Sequence, residues 1–151
     1  MDKKVLAANA QGTVRKWKPP FMQDGIPTKW NWVCQHPQNL TIEQSVDIGA
    51  FSYINAKYGV TIERNVQIGS HCSIYSVSTI DSKKGRVILK QNVRIGSHSV
   101  IMPTVVIGEN SIVGAFSFVN KDVPSNVLAY GVPVNIIRDL SAEEMTSHRI
   151  E

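Results

Sequence analysis

The sequence has little of the material from which several classes of protein are built. Its two cysteines, Cys34 and Cys72, are far apart and show no metal-ligand spacing, so we expect two small buried side chains and no metal site. No apolar run is long enough to span a bilayer, and the opening MDKKVLAANAQG lacks the apolar stretch of a signal peptide. The sequence therefore favours a cytoplasmic protein that does not enter a membrane.

Acidic residues are the minority, and the net charge of +4 comes from lysines and arginines spread along the chain, with DSKKGR as one small cluster. Nucleic-acid binding usually needs a denser basic patch, whereas a phosphate-bearing small ligand does not. We therefore expect a small-molecule partner and no nucleic acid. The 151 residues, 42% of them hydrophobic and 19% charged, have room for one soluble domain with one core.

A branched aliphatic residue returns every six positions through the second half of the chain. In a helix, six residues advance the side chain by about 240°, which would scatter these residues around the axis. In an extended chain, an even step keeps them on one side. The repeat therefore predicts strands, and a unit this short predicts several hexapeptides per turn of a coil with a shared interior. It is seen at Ile95, Ile101, Ile107, Val113 and Val119.

The same step extends back to residue 42 if two insertions are allowed, two residues after Ile54 and three after Ile80. We expect these insertions, at 55–61 and 81–88, to bulge outward, because the inward series resumes in phase after each. From Ile48 onward, the position two before each aliphatic is a valine, serine or cysteine and should share the inward face. The earlier expected inward aliphatics are Ile42, Ile48, Ile54, Ile62, Ile68, Ile74, Ile80 and Leu89.

The third residue after an aliphatic marks the predicted corners. Asn65, Asn92 and Asn110 occupy this position and suit a left-handed backbone. His71 and His98 share the position, so their rings should point outward. From position alone, a corner residue held by a local hydrogen bond is a slightly better explanation of each histidine than catalysis. Neither His36 nor His148 is given a role.

The two ends differ from the repeat. Residues 1–39 contain all three tryptophans and no six-residue phase, so we interpret them as a cap over the open end of the coil. An alternative is that an exposed tryptophan stacks on a sugar or a base. Residues 141–151, SAEEMTSHRIE, have a serine N-cap and early glutamates, which predict a short helix or a tail.

The stretch RIGSHSVIMPTVVIGENSIVGAFSFVNKDVPSNVLAYGVPVNIIRDL resembles the C-terminal half of the hexapeptide-repeat acyltransferases, notably galactoside and maltose O-acetyltransferases. The earlier VDIGAFSYINAKYGVTIERNVQIGSHCSIYSVSTID is more similar to N-acetyltransferases of nucleotide-linked amino-deoxysugars in surface-glycan biosynthesis. The resemblance covers residues 40–140 and implies an all-β, left-handed parallel β-helix with three hexapeptides per turn. It also implies acetyl-CoA as cosubstrate, a sugar acceptor and a homotrimer with three sites between neighbours.

The resemblance also suggests site residues. His98, in the motif IGSH, matches the histidine that acts as the catalytic base, and VNKDVPSNVLAYGVP resembles the coenzyme A contact segment. A backbone N–H at Gly114 or Ala115 is a candidate oxyanion donor, and Lys121 and Arg138 suit the cofactor phosphates. The acceptor-side candidates are His71, Asp81 and, for a diphosphate, the basic group Lys83, Lys84 and Arg86.

Three other functions are compatible with parts of this sequence. An O-acetyltransferase of a simple glycoside or polysaccharide hydroxyl would have the same features as the N-acetyltransferase of a nucleotide-linked sugar, except that it would need no contacts to a diphosphate. A non-catalytic β-helix assembly module has the same fold, because fold does not fix function. A zinc enzyme on this fold needs three histidines at a subunit boundary, and the sequence has no close third beside His71 and His98. The sequence thus favours N-acetylation of a nucleotide-linked amino sugar.

Overall fold

The computed structural model describes the backbone of residues 7–8 and 14–146, with side chains from residue 16 onward. Short strands alternate with tight corners along most of this length. The strands are β1 (Ala7–Ala8), β2 (Val14–Arg15), β3 (Val33–Gln35), β4 (Leu40–Ile42), β5 (Asp47–Ile48), β6 (Tyr53–Asn55), β7 (Val60–Ile62), β8 (Gln67–Ile68), β9 (Ser73–Tyr75), β10 (Val77–Ser78), β11 (Lys83–Lys84), β12 (Val87–Leu89), β13 (Arg94–Ile95), β14 (Val100–Ile101), β15 (Val106–Ile107), β16 (Ile112–Val113), β17 (Phe118–Val119), β18 (Val127–Tyr130) and β19 (Asn135–Asp139).

Three sheets run along the coil and enclose its interior. Sheet 1 contains β3, β6, β9, β14 and β17; sheet 2 contains β4, β7, β12 and β15; sheet 3 contains β5, β8, β13, β16 and β18, with β19 added antiparallel. Ile95 pairs in parallel with Val113, and Ile101 with Val119, eighteen positions apart in each case. Each turn therefore contains three hexapeptides, and the predicted all-β coil is confirmed.

The interior is filled by the six-residue series and by the smaller residue two positions before each member. Ile101 and Ile107 are fully buried, as are the serines Ser99 and Ser111. These serines keep hydrogen bonds inside the core: Ser99 Oγ donates to Gly114 O (3.2 Å) and Ser111 Oγ to Pro124 O (2.6 Å). Burial of each hydroxyl is tolerated because it donates a hydrogen bond to a backbone carbonyl at a corner of the coil.

Ile80 does not belong to the inward series, so that part of the prediction is wrong. It is 93% exposed and lies in the turn of the antiparallel hairpin formed by β10 and β11. After Ile74 the next buried member of the six-residue series is Leu89, in sheet 2, so the second insertion is nine residues long rather than three. Ile80 lies in a hairpin turn and matches the six-residue phase by coincidence. Sequence periodicity alone does not distinguish such a residue from an inward residue of the coil.

The two ends of the described chain add short elements to the coil. In the segment predicted as a cap, β3 pairs with β6, and Trp32 and Cys34 are buried against the core. A 3-10 helix spans Pro37–Asn39 and an α-helix, α1, spans Ala142–Thr146. Ser141 caps α1: its Oγ accepts from Glu144 N–H (3.2 Å), and its own N–H donates to Glu144 Oε2 (2.8 Å).

Both cysteines are free and buried, as predicted. Over the ranges that the structure describes, no helix is long and apolar enough to cross a membrane. The predicted tail beyond residue 146, with His148, lies outside the described residues.

Candidate active site

One corner of the coil, between sheets 3 and 1, has an aromatic ring at four successive levels. We call these residues, Phe51, His71, His98 and Phe116, the histidine edge. All four have a left-handed backbone, with φ between 58° and 64°, as the register predicts for the two histidines. The edge is held by a backbone ladder in which His98 N–H donates to Ser70 O at 3.1 Å. Its side chains therefore project outward at fixed spacing.

The four rings form a continuous column. The ring centroids of His71 and His98 are 4.7 Å apart and nearly parallel, and those of His98 and Phe116 are 4.8 Å apart and parallel. Phe51 lies 5.2 Å from His71, tilted by 38°. Both faces of the His98 imidazole are thus covered, and only its rim, which contains the two nitrogens, is open to a ligand.

The two imidazoles are exposed, and within the described part of the chain neither has a hydrogen-bond partner. A corner histidine that served only to fix the local backbone would be expected to bond to it. The stacked column orients the rings instead. Proton acceptance by a ring nitrogen therefore competes with no internal hydrogen bond.

Gly96 allows the turns to stack closely enough for this column. A Cβ at Gly96 would overlap the backbone of Ala115, on the next turn of the coil. Ala115 therefore lies directly over the strand end that leads into His98. Gly114 N–H donates to Ala129 O at 2.9 Å, whereas Ala115 N–H has no acceptor among the described residues. Of the two predicted oxyanion donors, Ala115 is the one whose amide is available near His98.

Asp81 lies in the hairpin formed by β10 and β11, at the opposite end of sheet 1 from His98. The hairpin adjoins the corner at Thr104, whose N–H donates to Gly85 O at 3.4 Å. Thr104 is six positions after His98 along the chain, on the far side of β14, a span of roughly 15–20 Å. Within one chain, Asp81 and His98 therefore do not contact the same sugar ring.

The charged groups of the hairpin are engaged with each other and with the coil. Hydrogen bonding from Ser78 lowers the pKa of Asp81, and the Lys83 amide and ammonium groups lower it further; Lys83 Nζ lies 3.4 Å from the carboxylate. Arg86 donates to Thr61 Oγ1 at 2.9 Å, and Lys84 Nζ lies 5.5 Å from the ring centre of Tyr58. All three predicted diphosphate cations thus have a partner in the chain.

The two predicted cofactor cations also lie away from His98. Lys121 is exposed and follows sheet 1 at the corner toward sheet 2. Arg138, on β19, makes a two-point ion pair with Glu144 through bonds of 2.6 and 2.9 Å. Hydrogen bonding from Arg138 and then from the Ser141 amide lowers the pKa of Glu144 to about 2. The structure therefore brings His98 together with His71 and Ala115, but not with Asp81, Lys121 or Arg138.

The sequence prediction omitted Phe51 and Phe116, which flank the histidines. The signal was present, because each stands three positions after an inward aliphatic, as His71 and His98 do. No set of three or more histidine, cysteine, aspartate or glutamate side chains is placed to hold a metal ion within the described ranges.

A three-sided parallel coil built from six-residue units, with side chains exposed at its corners, is the architecture of the hexapeptide-repeat proteins. Residues 86–121 match the family model described as bacterial transferase hexapeptide (six repeats). About three quarters of the chain also aligns with solved hexapeptide-repeat acetyltransferases. Residues 86–121 thus carry the repeat of that family model, and the coil has the left-handed β-helical fold of hexapeptide-repeat acetyltransferases.

Individual relatives extend this result. The galactoside O-acetyltransferase of Escherichia coli is 37% identical over 84 residues, which is 56% of this chain and 28% of that protein. A hexapeptide-repeat acetyltransferase from Vibrio cholerae, solved with acetyl coenzyme A, superposes with a TM-score of 0.69 at 28% identity, covering 73% of this chain and 65% of that one. A variant of AntD, an N-acyltransferase from Bacillus cereus solved with dTDP-4-amino-4,6-dideoxyglucose and coenzyme A, gives a TM-score of 0.61 at 26% identity, covering 77% and 80%. The chain spans only 28% of the length of the E. coli enzyme.

Proposed function

We propose that this protein transfers the acetyl group of acetyl-CoA to a sugar in the cytoplasm, with His98 as the base and residues 40–140 as the catalytic unit. The observation that carries the proposal is the His98 imidazole itself. Its two faces are covered by His71 and Phe116, its rim is exposed, and its nitrogens have no partner among the described residues. Such a ring is oriented for proton transfer and free to perform it.

The chemistry needs few groups, because a thioester is already activated. The acceptor nitrogen or oxygen attacks the thioester carbon while His98 takes its proton. The carbonyl oxygen becomes an oxyanion, for which the Ala115 N–H is the donor. Collapse of this intermediate breaks the carbon–sulfur bond, and the protonated imidazole returns its proton to the coenzyme A thiolate.

The acceptor in this proposal is the amino group of a nucleotide-linked amino-deoxyhexose for surface-glycan synthesis. It is supported by the resemblance of residues 46–81 and by AntD, whose structure contains such a sugar. His71, beside His98, and Asp81 are the acceptor-side residues, and Lys121 and Arg138 are the cations for the cofactor phosphates. Arg138 would have to exchange its bonds with Glu144 for a phosphate. O-acetylation of a simple glycoside is the second candidate, because of the E. coli relative.

The proposal includes assembly into a cyclic trimer. At the histidine edge of a single chain, Phe51 is 64% and Phe116 67% exposed, an apolar surface that a neighbour would cover. A neighbouring copy is also the means by which Asp81 would approach the acceptor at His98, because the two lie at opposite ends of sheet 1. Multi-angle light scattering of the purified protein tests this, and a fully active monomer would contradict it.

The function is tested by measuring coenzyme A release from acetyl-CoA with two panels of acceptors, nucleotide-linked amino-deoxysugars and unlinked glycosides. Reaction with the first panel alone supports N-acetylation, and mass spectrometry of the product locates the acetyl group. Reaction with unlinked glycosides alone establishes the O-acetyltransferase. Absence of release with every acceptor, from a correctly folded trimer, favours the non-catalytic assembly module.

A further inference from the structure

A second concave surface lies at the N-terminal end of the coil, away from the hairpin. The segment 16–20, the turn 29–32 and residues of β4 and β5 at the open end of the coil enclose a cavity of about 680 Å³, a volume within the range of small-ligand sites. The cavity is lined by Lys16, Trp17, Lys18, Pro20, Lys29, Trp30, Trp32, Ile42, Val46, Asp47 and Ile48.

All three tryptophans of the chain line this cavity. Trp32 is 2% exposed and belongs to the core, so it closes the end of the coil. Trp30 is 48% exposed, far more than closure requires, and Trp17 is half-buried. A cap needs only apolar cover, whereas indole faces open to a cavity suit a planar ring, since base–aromatic stacking stabilises a complex by about 1–3 kcal/mol per base.

The charge around these rings is positive. Lys16, Lys18 and Lys29 line the cavity, against the single carboxylate of Asp47 among its described lining residues. Lys29 Nζ lies 4.4 Å above the Trp30 ring, so a cation and an aromatic surface are adjacent. Ammonium groups at the mouth of an aromatic cavity suit the phosphates of a ligand whose ring stacks inside. Among the described residues none of these three lysines makes an ion pair or a side-chain hydrogen bond, whereas in the hairpin Lys83 pairs with Asp81 and Arg86 donates to Thr61.

The cavity leads toward the histidine edge. Asp47 also lines a shallow depression on the outside of sheet 3, beside Gly69, Gly96 and Gly114. In that sheet Asp47 is in register with Gln67, and Gln67 with Arg94. Two inter-strand spacings, about 10 Å, therefore separate Asp47 from the turn that carries His98, a span comparable to a diphosphate and a sugar in extended form.

We propose that the tryptophan-lined cavity binds a nucleoside diphosphate, with the base against Trp30 and the phosphates on Lys16, Lys18 and Lys29, and that the attached sugar extends along sheet 3 toward His98. The binding of the nucleotide stands independently. Its assignment as the carrier of the acceptor rests on the proposed function. The nucleotide is thus held by the N-terminal segment and not by the hairpin cations.

The probes are UDP, dTDP, coenzyme A and inorganic phosphate, titrated into the full chain by calorimetry and by tryptophan fluorescence. Trp30→Ala should weaken UDP or dTDP binding about tenfold or more, and Trp30→Phe should restore most of it because the ring is retained. Lys16→Ser, Lys18→Ser and Lys29→Ser combined should weaken binding and reduce its salt dependence. The matched control combines Lys83→Ser, Lys84→Ser and Arg86→Ser, which removes three cations from the hairpin and should leave nucleotide binding unchanged.

The inference would be overturned if the hairpin variant lost nucleotide binding while the Trp30 and lysine variants kept it. Equally strong competition by inorganic phosphate and by UDP would also overturn it, because the nucleotide base would then not be recognised. A preference for coenzyme A over UDP and dTDP would overturn it as well, because the adenosine phosphate of coenzyme A would then be the ligand. Failure to bind any nucleotide, with acetyl transfer to unlinked glycosides intact, overturns this inference and leaves an acetyltransferase. Nucleotide binding that depends on Trp30, without acetyl transfer to any sugar, supports the cavity and removes the proposed function.

Discussion

His71 and His98 stack with their rings 4.7 Å apart and 8° from parallel, one turn of the coil above the other. Each ring therefore forms part of the surface on which the other rests. Removal of either by alanine has two effects, loss of two nitrogens and loss of a stacking face. A test of catalysis must separate them, and phenylalanine does so because it keeps the ring and removes the nitrogens.

We predict that His98→Phe and His98→Ala each lower kcat by roughly 10²–10⁴-fold, the contribution of a general base, with circular dichroism and oligomeric state unchanged. His71→Phe is the matched variant and should retain most of kcat while raising the acceptor KM. Steady-state kinetics with acetyl-CoA and the acceptor found in the screen measure both. A full loss in His71→Phe beside an active His98→Phe would show that the other histidine is the base.

The corner between sheets 2 and 3 predicts a stability effect. Asn92 Nδ2 donates to Asn110 Oδ1 (3.0 Å), and Asn92 Oδ1 accepts from Asn65 Nδ2 (3.2 Å), with a left-handed backbone at Asn92 (φ 62°). Asn92→Ala should lower the free energy of unfolding by about 2–4 kcal/mol, through two lost hydrogen bonds and backbone strain.

Asn92→Gly separates these two causes, because glycine adopts the left-handed backbone without strain but still lacks the amide. It should recover about 1 kcal/mol of the loss. Urea unfolding at one fixed protein concentration measures both variants. Equal stability of the alanine variant and the natural chain would mean that the amide ladder contributes nothing net.

The buried thiol of Cys34 predicts a reactivity difference. Burial, with a smaller effect from Asp24, raises the pKa of Cys34 from 9.0 to about 12. The folded state thus holds a proton that the unfolded state releases, so this group's contribution to stability is complete below pH 9 and is lost as pH rises from 9 toward 12. In a Cys72→Ala background, iodoacetamide at pH 9 should label Cys34 slowly in the native protein and rapidly in denaturant. Rapid labelling of the native protein would contradict the burial.

The ion pair of Glu144 with Arg138 predicts an acid transition at the C-terminal helix. The pKa of Glu144 is lowered from 4.5 to about 2, so its contribution is present above pH 4.5 and is lost as pH falls from 4.5 toward 2. Carboxyl NMR should show Glu144 titrating near 2. Arg138→Gln should move the midpoint up toward 4.5, and a midpoint already near 4.5 in the natural chain would contradict the pair.

The sequence by itself determined the coil. An aliphatic step of six is incompatible with a helix and is satisfied by strands, and the asparagines and histidines three positions after an aliphatic have the left-handed backbone predicted for them, as at Asn92 and His98. These are local properties, fixed by side-chain direction and by the allowed φ of each residue. The handedness of the coil came from family resemblance, and the aligned β-helices support it.

Only the tertiary structure decided which distant residues meet. Periodicity placed Ile80 inside and left Asp81 free to approach His98, whereas hairpin pairing exposes Ile80 and puts Asp81 at the far end of sheet 1. Arg138 has a carboxylate partner in α1, and the three tryptophans line one cavity with residues of β4 and β5. Such contacts depend on which turn stacks on which and on where inserted residues leave the coil. A six-residue phase does not contain that information, because it repeats identically on every turn.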